Sequence, residues 1–226
     1  MLKYTFGFLL LFGTLVTTAQ QKMNKGTMVY EITEASADDA QMNTQVQMAK
    51  GSTTTIHFSK EQQRMDMNMM GGMVQMKTLT KADQSSIVLM DMMGQKIKIN
   101  MTKEEAMAAA PEMEYEVVAD EKDTKEILGH KCVKHTITQK GETNMQMIAY
   151  VAKDIKTSKS VIDQAKGLKL DGTPLEYTVN ANGMHITTVA TEINDKLEDN
   201  VFNPSTEGYK EMTMQEFQAM SGGAGF

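Results

Sequence analysis

"RMDMNMMGGMVQMKT", residues 64–78, decides the fold. Two alternating runs flank Gly71-Gly72, and a Gly-Gly pair supplies the positive φ that both centre positions of a two-residue hairpin turn require. That turn sets Met70 against Met73, Asn68 against Gln75, Met67 against Met76 and Asp66 against Lys77. Side chains alternate across a strand, so Met65, Met67, Met69, Val74 and Met76 share one face of the hairpin. Asp66, Asn68, Gln75 and Lys77 take the other, with an acid–base cross-strand pair to hold the register. Six of these fifteen residues are methionine, in a chain of 226 residues with 23 methionines, one cysteine and no tryptophan.

The same period of two runs outward from the hairpin. Met28, Tyr30 and Ile32 alternate with polar neighbours, as do Thr54, Ile56 and Phe58, and Ile97, Ile99 and Met101. "QMNTQVQMAK" (41–50) places Met42, Thr44, Val46 and Met48 opposite Gln41, Asn43, Gln45 and Gln47, and reads as a further strand. Similar segments near 84–90, 115–119, 131–139, 143–151, 174–180 and 184–193 bring the expectation to ten or eleven strands. One dry and one wet face per strand is the habit of antiparallel sheets. Two helices interrupt them. Thr102 with Glu105, and Thr213 with Glu216, have capping-box spacing, the first helix ending before Pro111 and the second carrying Met214, Phe217 and Met220 on one stripe. "SVIDQAK" (160–166) is a weaker third helix.

The first nineteen residues read as a secretory signal peptide. Lys3 precedes an apolar run from Tyr4 to Val16, and Thr17 and Ala19 stand before a cut at Gln20. That run is shorter than the roughly 20 apolar residues a membrane span needs, and no later run is longer. Residues 20–226 are then a single β-rich domain, its core at about 26–221, exported to the periplasm or medium as a soluble protein. Losing Lys3 takes the net charge from −6 to −7, which repels nucleic acid. Cys132, the lone cysteine, has no intrachain disulfide partner.

Thioether sulfur selects soft ions such as Cu(I), so Met65, Met67, Met69 and Met76 are candidate metal ligands. The same side chains also fill irregular cores or line surfaces that repack around varied apolar guests. Methionine recurs on the dry faces of distant strands (Met28, Met48, Met145), which favours the second use. Arg64 is the only arginine. Its planar fork suits either a local ion pair with Asp66 or the headgroup of a bound amphiphile. "GHKCVKH" offers His130, Cys132 and His135, but a strand sends His135 to the face opposite the other two, which argues against a metal site. No nucleophile elbow or phosphate-cradling loop is present, so the reading is non-enzymatic and calls for no cofactor.

"RMDMNMMGG", "IVLMDMMGQKIKI", "KEILGHKCVKHTI", "GTPLEYTV" and "GYKEMTMQEFQAM", in that order over residues 60–220, resemble domain-of-unknown-function family 4412, exported proteins of Bacteroidetes type. The I-x-G-x-K-C and G-x-P-L-E-Y elements are also similar to the GLPGLI family, with His130 where an aromatic is expected and His135 where a small residue is expected. The resemblance implies a LolA/LolB-like fold: a curved antiparallel sheet forming an incomplete barrel, with two or three short helices. It also implies a lipid or lipoprotein as partner. The function expected is a non-catalytic binding protein for a lipid, acyl chain or lipoprotein, with Met65, Met67, Met69, Val74 and Met76 as its apolar face and Arg64 as a headgroup contact. A copper- or silver-binding protein and an envelope protein without ligand stay open beside it.

Overall fold

The computed structural model describes residues 20–109, 113–141, 145–160, 165 and 167–220. The leader segment lies outside them, as does most of the 160–166 helix expectation. Two antiparallel meanders make one sheet. The first runs β2 (Gly26–Ala37), β3 (Thr53–Phe58), β4 (Gln63–Met69), β5 (Val74–Thr80), β6 (Ser86–Met92) and β7 (Gln95–Met101). The second runs β8 (Tyr115–Ile127), β9 (His130–Gln139), β10 (Gln146–Ala152), β12 (Thr173–Ala181) and β13 (Met184–Asn194). Two short strands, β1 (Gln21–Met23) and β11 (Ile155–Thr157), pair in parallel as a separate ribbon. A last strand, β14 (Lys210–Met212), adds to β7 in parallel and completes the order β14-β7-β6-β5-β4-β3-β2-β13-β12-β10-β9-β8. Among the described residues nothing pairs β14 with β8, and the curved sheet stays open.

The meanders meet at the β2–β13 seam, which no local turn specifies. Two bulges interrupt it, at Thr187/Thr188 and Ala190/Glu192, and others lie in the β10–β12 and β8–β9 ladders. Each extra residue bends its strand and raises the local twist, which is how a twelve-strand sheet curls. Tyr30 closes the seam from within: fully buried, it donates its hydroxyl to the Pro174 carbonyl at 2.8 Å. Burial pushes its phenol well above the usual tyrosine range, so it remains a donor. Gly26 opens β2 because a Cβ there would lie 2.2 Å from the Asn194 carbonyl oxygen.

Among the described residues, three helices sit on this frame: α1 (Ala40–Gln47), α2 (Lys103–Ala109) and α3 (Met214–Met220). Both capping boxes form. Thr102 N–H donates to Glu105 at 2.7 Å and Glu105 N–H to Thr102 Oγ1 at 3.2 Å, and Thr213 and Glu216 make the same exchange at 2.8 and 3.1 Å. Helix α1 corrects the strand expected at 41–50. Asp39 accepts from Met42 N–H at 2.8 Å as the N-cap, and Asn43 Oδ1 accepts from Ala37 N–H at 2.9 Å. These caps start a helix, and the alternating Met and Val side chains had no partner strand to bury against; no residue of α1 is buried.

Candidate apolar binding face

The β4–β5 ladder has the register the sequence predicts, with Asp66 opposite Lys77, Met67 opposite Met76, Asn68 opposite Gln75 and Met69 opposite Val74. Gly71 and Gly72 take φ of 65° and 96°. The expected Met70–Met73 strand pair does not form, because Met70 adopts φ 54° and Met73 turns helical, so both leave the ladder for the tip.

Register carries the hairpin's face across its neighbours. One row reads Met28, Ile56, Met65, Thr78, Val88 and Ile99; the next reads Tyr30, Thr54, Met67, Met76, Met90 and Ile97; a third reads Met69, Val74 and Met92. Burial declines from row to row. In the first, Met28, Ile56, Met65, Val88 and Ile99 are all buried. In the second, Met90 and Ile97 are buried but Met67 and Met76 are half-buried, and in the third Met69, Val74 and Met92 are all half-buried. Met67 packs against the central core of Met28, Tyr30, Ile56 and Phe58, whereas Met76 packs against a second cluster of Val88, Met90, Ile97, Ile99 and Phe217. Helix α3 roofs that second cluster through Phe217, its one buried residue.

The five residues chosen from sequence therefore share a face, but in two roles: Met65 belongs to the core, while Met67, Met69, Val74 and Met76 lie along its open margin. The candidate site read from the sequence left out Met90, Met92, Ile97 and Phe217 of α3, although Ile97 and the α3 stripe are already legible as apolar faces. The alternation in "LMDMMGQKIKI" held the signal for the first three.

Arg64 is on the opposite face. Its Nε and Nη2 donate to Asp66 at 2.6 and 2.5 Å, and Nη1 donates to the Val201 carbonyl at 2.7 Å. The fork is thus engaged across the sheet from the methionines, in the local ion pair with Asp66 that the sequence offered beside a headgroup contact. It fastens the segment after β13 to the sheet. Nearby, His57 Nδ1 lies 3.1 Å from Thr27 Oγ1, and burial holds its pKa below the usual histidine value against the opposing pull of Asp66.

In β9, His130 and Cys132 share a face and His135 faces away, as alternation requires. His130 Nδ1 lies 2.8 Å from Asp154, His135 Nδ1 lies 2.9 Å from the Val133 carbonyl, and Cys132 is fully buried. Burial, then the nearby Asp154 carboxylate, push the Cys132 thiol up to about 12. No group of three or more His, Cys, Asp or Glu residues is arranged to hold a metal among the described residues.

Among solved structures, the chain is similar to the lipoprotein LppX of Mycobacterium tuberculosis at 8% identity, covering 77% of this chain and 87% of that one with a TM-score of 0.40. It is similar to LprF of Mycobacterium bovis at 7% identity, 78% and 89% coverage and a TM-score of 0.38. A DUF1329 family protein from Desulfovibrio piger follows at 10% identity, 80% and 90% coverage and 0.34. No curated protein matches the sequence. The family model described as Domain of unknown function (DUF4412) matches residues 39–206, and the chain belongs to that family.

Proposed function

We propose that this is an exported, non-catalytic binding protein that holds a lipid, acyl chain or lipoprotein on the methionine face. One observation carries the reading: Met67, Met69, Val74, Met76 and Met92 form a half-buried apolar margin between two packed clusters, on a sheet that does not close. Unbranched thioether side chains repack around guests of differing shape at little rotamer cost. Export rests on the leader pattern of residues 1–19. Non-catalysis accords with the engagement of His57, His130 and His135 and with the buried, protonated thiol.

The test compares two variants in binding a fluorescent fatty acid. Replacing Met65, Met67, Met69 and Met76 together by leucine keeps volume and apolarity, so the fold and most of the affinity are expected to survive. Replacing Met67 and Met76 by glutamine puts unpaired amides on the face and is expected to weaken binding roughly tenfold or more. Equal binding by wild type and the glutamine variant would dispose of this site. Tight Cu(I) binding that disappears in the leucine variant would favour the soft-metal reading.

A further inference from the structure

One end of the sheet differs in chemistry from the rest of the molecule. Register brings the end of β2, helix α1, the start of β3, the β4–β5 tip and the β6–β7 tip to the same end. Met93 N–H donates to the Met73 carbonyl at 3.0 Å and ties the two tips together. Among the described residues, five of the eight exposed methionines collect here: Met42, Met48, Met70, Met73 and Met93, the last 83% exposed.

Three of the segments at this end, 40–49, 67–76 and 92–95, contain no charged residue, in a chain that is 23% charged. Each is bracketed by an aspartate before it and a lysine after it: Asp39 and Lys50, Asp66 and Lys77, Asp91 and Lys96. The last two brackets are directly opposed cross-strand pairs, so each tip stands above a rung of opposite charges. Met70 and Met93 occupy the left-handed region, at φ 54° and 52°. An unbranched apolar residue is uncommon there, and a turn that only had to be soluble would carry asparagine or glycine.

We propose that this end is a lipid-surface contact, in which the uncharged methionine tips enter the interface of a zwitterionic bilayer while the aspartate–lysine rungs stay in water. Apolar side chains at a membrane surface gain by entering the acyl boundary, and charge beside them would oppose entry. The layout favours a surface over a soft cation. The α1, β4–β5 and β6–β7 tips follow one another at every second strand and so span on the order of 20 Å. A metal ion needs donors converging on a point. The side chains that enter the interface, Met70, Met73 and Met93 at the exposed tips, are other than those of the guest-binding margin lower on the same strands, and the contact does not rest on that assignment.

The test is flotation of the protein, purified from its own cells, with vesicles of phosphatidylcholine and phosphatidylethanolamine. Wild type is expected to float. The variant Met70→Gln, Met73→Gln, Met93→Gln should lose roughly tenfold or more of its partitioning and keep its fatty-acid binding, since the margin is untouched. Leu128→Asn, an exposed apolar residue at the opposite end, should change nothing. Partitioning should be insensitive to salt, because no charge is engaged. The chain has no tryptophan, so Met93→Trp supplies a single reporter whose emission should shift to the blue on vesicles. Failure of wild type to float, undiminished flotation of the glutamine variant, a requirement for anionic lipid abolished by salt, or stoichiometric Ag(I) binding at the tips without flotation would each overturn the proposal.

Discussion

Replacing Phe217 by alanine tests how the methionine face is roofed. Phe217 is 5% exposed and packs on Val88, Met90, Ile97 and Ile99. Phe→Ala in a sealed core costs about 3–5 kcal/mol, because a cavity remains. Here the surroundings can relax. Helix α3 is seven residues long, and a helix that short has no stability of its own. Removing its single buried side chain should release the helix instead of leaving a hole beneath it. The expected loss is then the burial of one phenylalanine, about 2–3 kcal/mol. Urea unfolding would measure that loss, and limited proteolysis within 213–220 would show the release. Undocking also bares Met90, Val88 and Ile97, so an apolar dye should bind more strongly to the variant than to wild type. A loss above about 4 kcal/mol with α3 still protected would mean a sealed core, and unchanged dye binding would mean that α3 does not cover the face.

Three further outcomes follow from the opposite side of the sheet and from β9. Arg64→Lys should cost about 1–3 kcal/mol in urea unfolding, because an ammonium cannot keep the two bonds to Asp66 and the bond to Val201 together; an unchanged midpoint would show the fork to be idle. His57 has a folded pKa below its unfolded value of about 6.5, so the folded state binds fewer protons. Its contribution is complete above pH 6.5 and is lost as the pH falls through that value toward the folded pKa. His57→Gln should therefore flatten the stability profile across that window, and an unaltered acid slope would show that His57 does not set it. Cys132 should resist iodoacetamide at neutral pH until the protein is unfolded, since its thiol is buried and titrates only near 12; rapid native alkylation would contradict this.

What the chain determined by itself was local. Gly71-Gly72 and the alternation around it specify the β4–β5 register, because the turn and both strands lie within one short stretch and a one-residue slip would turn every methionine outward. Thr102 with Glu105, and Thr213 with Glu216, specify two helix starts for the same reason. At 41–50 two local signals conflicted, and the aspartate cap prevailed over the alternation because no strand lay alongside to receive its apolar side. Other outcomes needed partners distant in sequence. The β2–β13 seam, with its bulges and the Tyr30 bond to Pro174, joins residues more than a hundred positions apart, and it sets the curvature. Whether a methionine on the dry face is core or open margin depends on what covers it. Met65 and Met67 are two residues apart on one strand and equally apolar, yet Met65 is sealed by packing from the central core while Met67 lies where that packing thins. Arg64 likewise became a clasp because the segment near Val201 crosses the face opposite the methionines. A side chain's chemistry is written in the sequence, but its exposure is set by neighbours that only the folded chain brings together.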